Sequence, residues 1–402
     1  MACGIIRDMR NIGILIERQR AFGRRLCTGI VQYAQTREDW QLTMLDMDDL
    51  VHPAHLAGFD GFIARVINGE IARTFAKVGR PVVDVFEGDR AQRFAKVVQD
   101  AEKISGLAAE HFLQHRFTKF GFFGHEGIAY SDLRRDAFVG RLRLNGHDCT
   151  VYRTPQAVIR NFEYTVMRKE MYSTSSEARS IASWVKKLPK PIAVFASHDL
   201  RAYQLIRVCK ELGVAVPSQV AVLGVDDDEI LCNFTNPTIS SVDPNACGIG
   251  FTAAKTLDEI VDGRANPPRV TYVSPSRLVE RKSTATFPLD PPWLSDALVF
   301  INNNVQKRLS ALDVYRHVGR SHTVVNDAFR GALGTTVSKA IADARMKEAR
   351  RLVSTTSIPF AEAAARSGFA SVQYFTRSFT AAYGKSPSAV RRLDARPLSR
   401  RQ

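Results

Sequence analysis

One stretch near the C-terminus limits what this chain can fold into more than any other: SIPFAEAAARSGFASVQYFTRSFTAAYGKSPSAVRR, residues 357–392. Ile358, Ala361 and Ala365 fall on one helical face, and after Gly368 the set Phe369, Val372, Phe375 and Phe379 falls on another. Glycine permits the tight turn between two such helices. Ser371 stands where it can cap the second helix, and a capped helix start presents backbone N–H groups to phosphate. Burying the two Phe side chains leaves Gln373, Tyr374, Thr376 and Arg377 pointing outward. Arginine can bond guanine bidentately and glutamine can bond adenine, while Tyr374 suits a phosphate contact or partial packing against the core. The spacing predicts two short helices broken at Gly368, with a polar and basic outer face on the second.

A second unit precedes it. SALDVYRHVGRSHTVVNDAFRGALG (310–334) places Val325 and Phe329 inward and His322, Thr323, Asn326, Asp327 and Arg330 around the second helix. Between the two stretches, VSKAIADARMKEARRLV carries Arg345, Lys347, Arg350 and Arg351 as phosphate or solvent contacts. Charge is skewed the same way. Residues 286–402 hold 18 Lys and Arg against 8 Asp and Glu, whereas the preceding 285 residues hold 38 against 33. The positive field belongs mainly to the tail, which suits a polyanion.

The first 285 residues differ in kind. Runs such as NIGILI (11–16), QLTMLDM, GFDGFIAR and PVVDVF are separated by turns or helices. The rhythm restarts with a helix at 101–114, KFGFFG (119–124), a helix at 132–143, PIAVFAS (191–197), a helix at 199–212 and VAVLGVDDD (220–228). TISSVDPN (238–245) and a helix at 246–261 lead the chain back to its first half. This is the βαβ pattern of mostly parallel sheets, and two series of it predict two lobes.

Ligands of such sheets bind beyond the carboxyl ends of the strands. Glu17, Arg18 and Arg24 stand there after the first strand, then Asp84 and Glu87, then His198, Asp199 and Arg201, then Asp226, Asp227 and Asp228. Carboxylates and guanidiniums in one cleft match a polyhydroxylated ligand, because each sugar hydroxyl both donates and accepts. At any one of these positions, solvation or helix capping is an equal alternative.

Other classes find no support. The six cysteines show no CxxC and no metal-ligand spacing, so buried free thiols, no metal and no cofactor are expected. No stretch approaches the length of a membrane span, and the charged start lacks the pattern of a signal peptide, so the chain is expected in the cytoplasm, away from membranes. Walker A, GxGxxG after the first strand, HExxH and GxSxG are all missing. Ser197, His198 and Asp199 are sequence neighbours, which does not make a relay. No catalytic residue is expected. An α/β sugar-modifying enzyme and a transport-type solute-binding protein remain the rival classes.

The first 285 residues resemble the periplasmic-binding-protein-like ligand domain of LacI/GalR regulators. The block from PIAVFASHDLRA to VLGVDDDE carries most of that resemblance, with NIGILIE, GFDGFIAR, PVVDVF, KFGFFG and RRDAFVGRL in support. Those regulators begin with a helix-turn-helix, whereas the first strand here begins near residue 11 and leaves no room for one. The tail supplies it: residues 309–392 resemble the AraC/XylS DNA-binding domain, with two helix-turn-helix units joined by a long helix. A sugar sensor ahead of such a domain is similar in arrangement to bacterial xylose-responsive activators.

The resemblance implies an α/β, periplasmic-binding-protein-like two-lobed sensor with a C-terminal all-α double helix-turn-helix domain. It divides the chain into a sensor at 1–285, a stiff linker at 286–294 and a DNA-binding domain at 295–395. Within the sensor, lobe 1 is expected at about 10–105 plus 242–285 and lobe 2 at about 106–241. It implies D-xylose or a similar sugar held by Glu17, Phe22, Arg24, Asp84, Arg134, Asp199, Arg201 and Asp226. His322, Thr323, Asn326, Arg330, Ser371, Gln373, Tyr374 and Arg377 would contact double-stranded operator DNA. A homodimer working with RNA polymerase in the cytoplasm, and associated with the nucleoid when bound to DNA, completes the expectation.

Overall fold

The computed structural model describes residues 9–50, 53–88, 94–154, 175–264, 270–286, 289, 291–307, 309–356 and 358–394. The chain divides into two compact units, Met1–Ala285 and Thr286–Gln402. Among the described residues no helix is long and apolar enough to cross a membrane.

The first unit holds two sheets. One is built from β1 (Arg10–Leu15), β2 (Trp40–Met44), β3 (Gly61–Ala64), β4 (Val82–Asp84), β5 (Ala95–Gln99) and β11 (Val270–Val273), in the order β11-β5-β4-β3-β1-β2 and parallel throughout. The other is built from β6 (Phe120–Phe123), β7 (Cys149–Val151), β8 (Ile192–Ala196), β9 (Val220–Val225), β10 (Ser240–Asp243) and β12 (Arg277–Val279). Its order is β12-β10-β9-β8-β6-β7, with only the β10–β12 pair antiparallel. β3, β6, β8 and β9 are buried along their whole length, as continuous apolar runs in a doubly covered parallel sheet should be.

Helices cover the sheets. They are α1 (Ala21–Ala34), α2 (Gly69–Val78), α3 (Ala101–Gln114), α4 (Ala129–Leu144), α5 (Ser175–Lys187), α6 (Asp199–Glu211), α7 (Glu229–Phe234) and α8 (Ala246–Val261). The closest helix pair is α1 with α8. A Cβ on Gly29 would stand 1.9 Å from the Cys247 carbonyl, and one on Gly250 would stand 2.0 Å from the Leu26 carbonyl. Two glycines facing each other's backbone let these helices touch and seal the first lobe.

The expected lobe boundary needs correction. β10 and β12 both belong to the second sheet, so residues 277–285 return to the second lobe. Ser283 explains the return: its hydroxyl donates to the Val222 carbonyl (2.6 Å) and accepts from Ser240 N–H (2.8 Å). Such pairings are invisible in a short polar segment like RLVERKST.

The second unit is helical: α9 (Pro292–Asn303), α10 (Ala311–Val318), α11 (His322–Leu333), α12 (Val337–Thr355), α13 (Phe360–Arg366), α14 (Val372–Tyr383) and α15 (Pro387–Asp394). α9 starts inside the expected linker. Leu294 is fully buried with Ala297 and Ile301 against Val314, Val325 and Phe329, because an apolar helix face finds a core to join. Positions 287, 288 and 290 of that linker lie outside the described residues.

Two small cores share α12. Val337 and Ile341 enter the first, while Ala349, Leu352 and Val353 enter the second with Phe375 and Phe379. The two halves repeat fifty residues apart. Ser321 and Ser371 cap their helices, Val325 and Phe375 are buried, Phe329 and Phe379 are buried, and Gly334 and Gly384 close the helices in the left-handed conformation. Gly368 has φ +76°, and a Cβ there would lie 2.2 Å from the Val305 carbonyl, so this turn requires glycine twice over.

Candidate functional site

Between the two lobes of the first unit lies a small cleft. The first lobe lines it with Glu17, Arg20, Phe22, Arg65, Val85, Phe86, Glu87 and Gln99, and the second with Tyr130, Arg134, His198 and Asp226. Most of these side chains sit just past the carboxyl ends of β1, β3, β4, β5, β8 and β9, or on the helices that follow. Arg65 pairs with Glu17 and lies 5.2 Å from the Phe86 ring centroid and 5.7 Å from that of Phe22. Gln99 bridges the lobes: its Nε2 donates to Glu87 Oε2 (2.8 Å), and its Oε1 accepts from Arg134 Nη2 (2.5 Å). Arg134 also donates to the Ser197 carbonyl. Outside the cleft, Arg25 latches across the lobes by donating to the Asp226 and Asp227 carbonyls at 3.0 and 2.8 Å.

Burial governs the charges. It pushes the Glu87 carboxyl up to about 7 and that of Asp226 up to about 6, against the pull of Arg134, Arg65 and, at Asp226, Arg20. His198 is held well below its ordinary value by burial and by the neighbouring cations, so its ring is neutral. Its Nδ1 accepts from the Arg201 N–H (3.2 Å), which leaves the proton on Nε2. That buried Nε2 has no hydrogen-bond partner, and neither does Glu87 Oε1. The Nε of Arg65 and the Nε of Arg134 are buried and unmatched as well. An acceptor and several donors thus converge on one cleft without protein partners, and burying them so is costly unless water or a ligand satisfies them.

The free space is about 60 Å³. At roughly 10–15 Å³ per water position, that is about four to six waters, well under the roughly 150 Å³ that admits benzene, so the lobes must part for a monosaccharide to enter. Larger grooves of 880 and 840 Å³ run beside α3 and α4. Arg65, Arg134 and His198, with their unmatched atoms, line only the small cleft, which is therefore the better candidate.

Of the expected sugar contacts, Glu17, Phe22, Arg134 and Asp226 line the cleft. Four do not. Arg24 is exposed and donates to the Arg18 and Gln19 carbonyls, because the first turn of α1 carries it to the outer side. Asp84 is fully buried: its Oδ1 accepts from Val66 and Phe86 N–H and its Oδ2 lies 3.1 Å from Lys96 Nζ, so it shapes the wall behind the cleft. Asp199 accepts from the Ser241 hydroxyl (2.6 Å) and the Asp228 N–H (2.9 Å), and so holds the loop that presents Asp226. Arg201 points into the second lobe's interior, bonded to Glu177 (2.6 Å) and Gln204 (2.7 Å) and stacked 4.0 Å from the Phe123 ring centroid.

Sequence reasoning missed Arg20, Arg65, Phe86, Gln99 and Tyr130 as cleft residues, while Glu87 and His198 stand among the strand-end candidates but outside the set the resemblance implies. GFDGFIAR had marked the Arg65 strand, so that signal was present. Gln99 ends β5, a strand that AKVVQ encodes weakly.

In the second unit, α11 exposes His322, Thr323, Asp327 and Arg330, and α14 exposes Gln373, Tyr374, Thr376 and Arg377. Val372, Gln373, Thr376, Arg377, Thr380 and Ala381 line a shallow groove along α14. The Ser371 hydroxyl accepts from Tyr374 N–H (3.2 Å), fixing the helix start. Asn326 differs from expectation. Its Nδ2 donates to the Tyr315 hydroxyl (2.7 Å) and its Oδ1 accepts from Val337 N–H (3.3 Å), so it ties three helices together instead of facing outward.

Comparison with known proteins places both units. Residues 109–284 match a periplasmic binding protein-like domain, and residues 314–393 match a helix-turn-helix domain. The xylose operon regulatory protein of Escherichia coli (strain K12) is 25% identical over 395 residues, covering 96% of this chain and 97% of that protein. The chain is a homologue of the xylose operon regulatory proteins. That of Haemophilus influenzae is 23% identical, covering 95% of this chain and 98% of its own length. The solved structure of the xylose-binding transcription activator xylR aligns with a TM-score of 0.65 and 24% identity, over 97% of this chain and 99% of that one. This regulator homologue thus keeps both domains in the same order as its relatives, and they are transcriptional regulators, not enzymes.

Proposed function

We propose that the protein binds D-xylose in the interlobe cleft and activates xylose catabolic genes through its helix-turn-helix domain. One observation carries the reading: the interlobe cleft holds an unmatched acceptor on Glu87 and an unmatched donor on His198, in a chain that aligns end to end with xylose operon regulators. Sugar hydroxyls satisfy both at once. Glu17, Arg20, Arg65, Gln99, Tyr130, Arg134 and Asp226 complete the polar ring, and Phe22 and Phe86 offer apolar faces to the ring carbons.

His322, Thr323, Arg330, Gln373, Tyr374 and Arg377 contact operator DNA in this reading, with Ser371 presenting a helix start to phosphate. The protein acts in the cytoplasm as a homodimer and recruits RNA polymerase. Sugar shifts the lobe equilibrium only to the extent that it binds one arrangement better.

Calorimetric titration with D-xylose, L-arabinose, D-ribose and D-glucose tests the effector. Selective xylose binding, lost in Glu87→Gln combined with Arg134→Met, supports it. Selective binding of another of these sugars reassigns the effector and keeps the regulator. Equal output from a xylose promoter with and without the sugar would sink the activator reading.

A further inference from the structure

His111 and His115 stand one turn apart on α3, and Glu280 follows β12 directly across from them. Each offers a ligand atom, and all three atoms lie within 4.8 Å of one another. The two rings are buried with centroids 4.3 Å apart, while Glu280 reaches solvent. The group lies outside the sugar cleft.

Hydrogen-bond counting fixes the His115 ring. Its Nδ1 lies 2.8 Å from the His111 carbonyl, which can only accept, so Nδ1 carries a proton. In a neutral imidazole the lone pair is then on Nε2, 3.2 Å from Glu280 Oε1, which is also an acceptor. Two acceptors at that distance hold either a proton, which makes an imidazolium–carboxylate pair, or a metal ion between them, and the third ligand atom, on His111, suits the metal.

His111 is oriented as well. Its Nε2 lies 2.9 Å from Thr284 Oγ1. Ser240 gives its own hydroxyl proton to the Arg281 carbonyl (2.9 Å), so Thr284 donates to Ser240 (2.7 Å) and accepts from His111. Both imidazoles therefore have the outer hydrogen bond that fixes tautomer and ring orientation in metal-ligating histidines.

We infer that His111, His115 and Glu280 form a site for a divalent transition metal, with Zn²⁺ the best match. Two imidazoles and one carboxylate suit zinc, and three protein ligands leave a position for water. The buried histidines and exposed carboxylate make a site that metal enters from solvent and leaves readily. It braces α3 against residues 280–284, the last stretch of the first unit.

The test uses the full-length protein, stripped with chelator and titrated with Zn²⁺ against a competing chromophoric chelator. One strong equivalent is expected. Glu280→Gln should weaken it by at least about tenfold and His115→Gln by more, with far-UV circular dichroism unchanged. Because His115 is buried, the exposed Glu280→Gln variant carries the conclusion if His115→Gln fails to fold. Co²⁺ should give ligand-field bands without a thiolate charge-transfer band, excluding the cysteines. No strong equivalent in the parent protein, undiminished binding in Glu280→Gln, or a thiolate band would overturn the site and leave the cluster as an imidazolium–carboxylate pair. D-xylose calorimetry on Glu280→Gln should be unchanged, which separates this site from the cleft.

Discussion

Sugar affinity should fall steeply between pH 7.5 and 5.5. The carboxyls of Glu87 and Asp226 titrate near 7 and near 6. At pH 7.5 they are about 76% and about 97% ionised, and at pH 5.5 about 3% and about 24%. If the sugar needs both as charged acceptors, the competent fraction drops on the order of 100-fold, and the apparent Kd rises in proportion. Protein stability should move the other way. Both folded values lie above the ordinary carboxylate range, so the fold favours the protonated forms. Their stabilising contribution is full below about pH 4 and is lost as pH rises through 6 and 7. For Glu87 alone that change is on the order of 3 kcal/mol. Calorimetry with D-xylose at the two pH values, with circular dichroism to confirm folding, measures the first effect. Glu87→Gln should weaken binding at pH 7.5 and leave the residual affinity only about a fourfold pH dependence, from Asp226. A wild-type Kd that changes less than about threefold would refute the role of these carboxylates as sugar acceptors.

Arg24→Ala should leave sugar affinity within about twofold, because that side chain bonds its own loop, whereas Arg65→Met should reduce it at least about tenfold by removing a charged donor from the cleft. Arg377→Ala or Gln373→Ala should cost about 1–3 kcal/mol of operator affinity in a gel-shift titration, with sugar calorimetry unchanged. Gly368→Ala should destabilise the second unit by about 2–4 kcal/mol in denaturant unfolding, since it adds left-handed strain to a clash with the Val305 carbonyl.

Periodicity made the scaffold legible. NIGILI, KFGFFG, PIAVFAS and VAVLG announce β1, β6, β8 and β9 because buried parallel strands are continuous apolar runs. Val325, Phe329, Phe375 and Phe379 announce the helix-turn-helix cores for a similar reason. The cleft was harder to read. Its residues share only their place after strand ends, and sequence does not say whether such a side chain turns toward the opposite lobe or into its own. Asp84, Asp199 and Arg201 turn inward because nearby backbone amides, hydroxyls and an aromatic face receive them. Arg20 takes the place of Arg24 in the cleft because it stands in extended backbone just ahead of α1, whereas Arg24 lies in the first helical turn and folds back on the Arg18 and Gln19 carbonyls. Asn326 turns toward its own domain because the N-terminus of α12 and Tyr315 claim its amide.

The helix shared by the two small cores also acts as a ruler. Val337–Thr355 has 19 residues, about 28 Å along its axis. Successive turns of B-DNA present the major groove about 34 Å apart. If α11 and α14 stand no farther apart than α12 is long, a duplex that seats both in consecutive grooves curves toward the protein to close the shortfall. Operators for such a tail should carry flexible pyrimidine–purine steps between the two contacted segments, where no side chain touches a base.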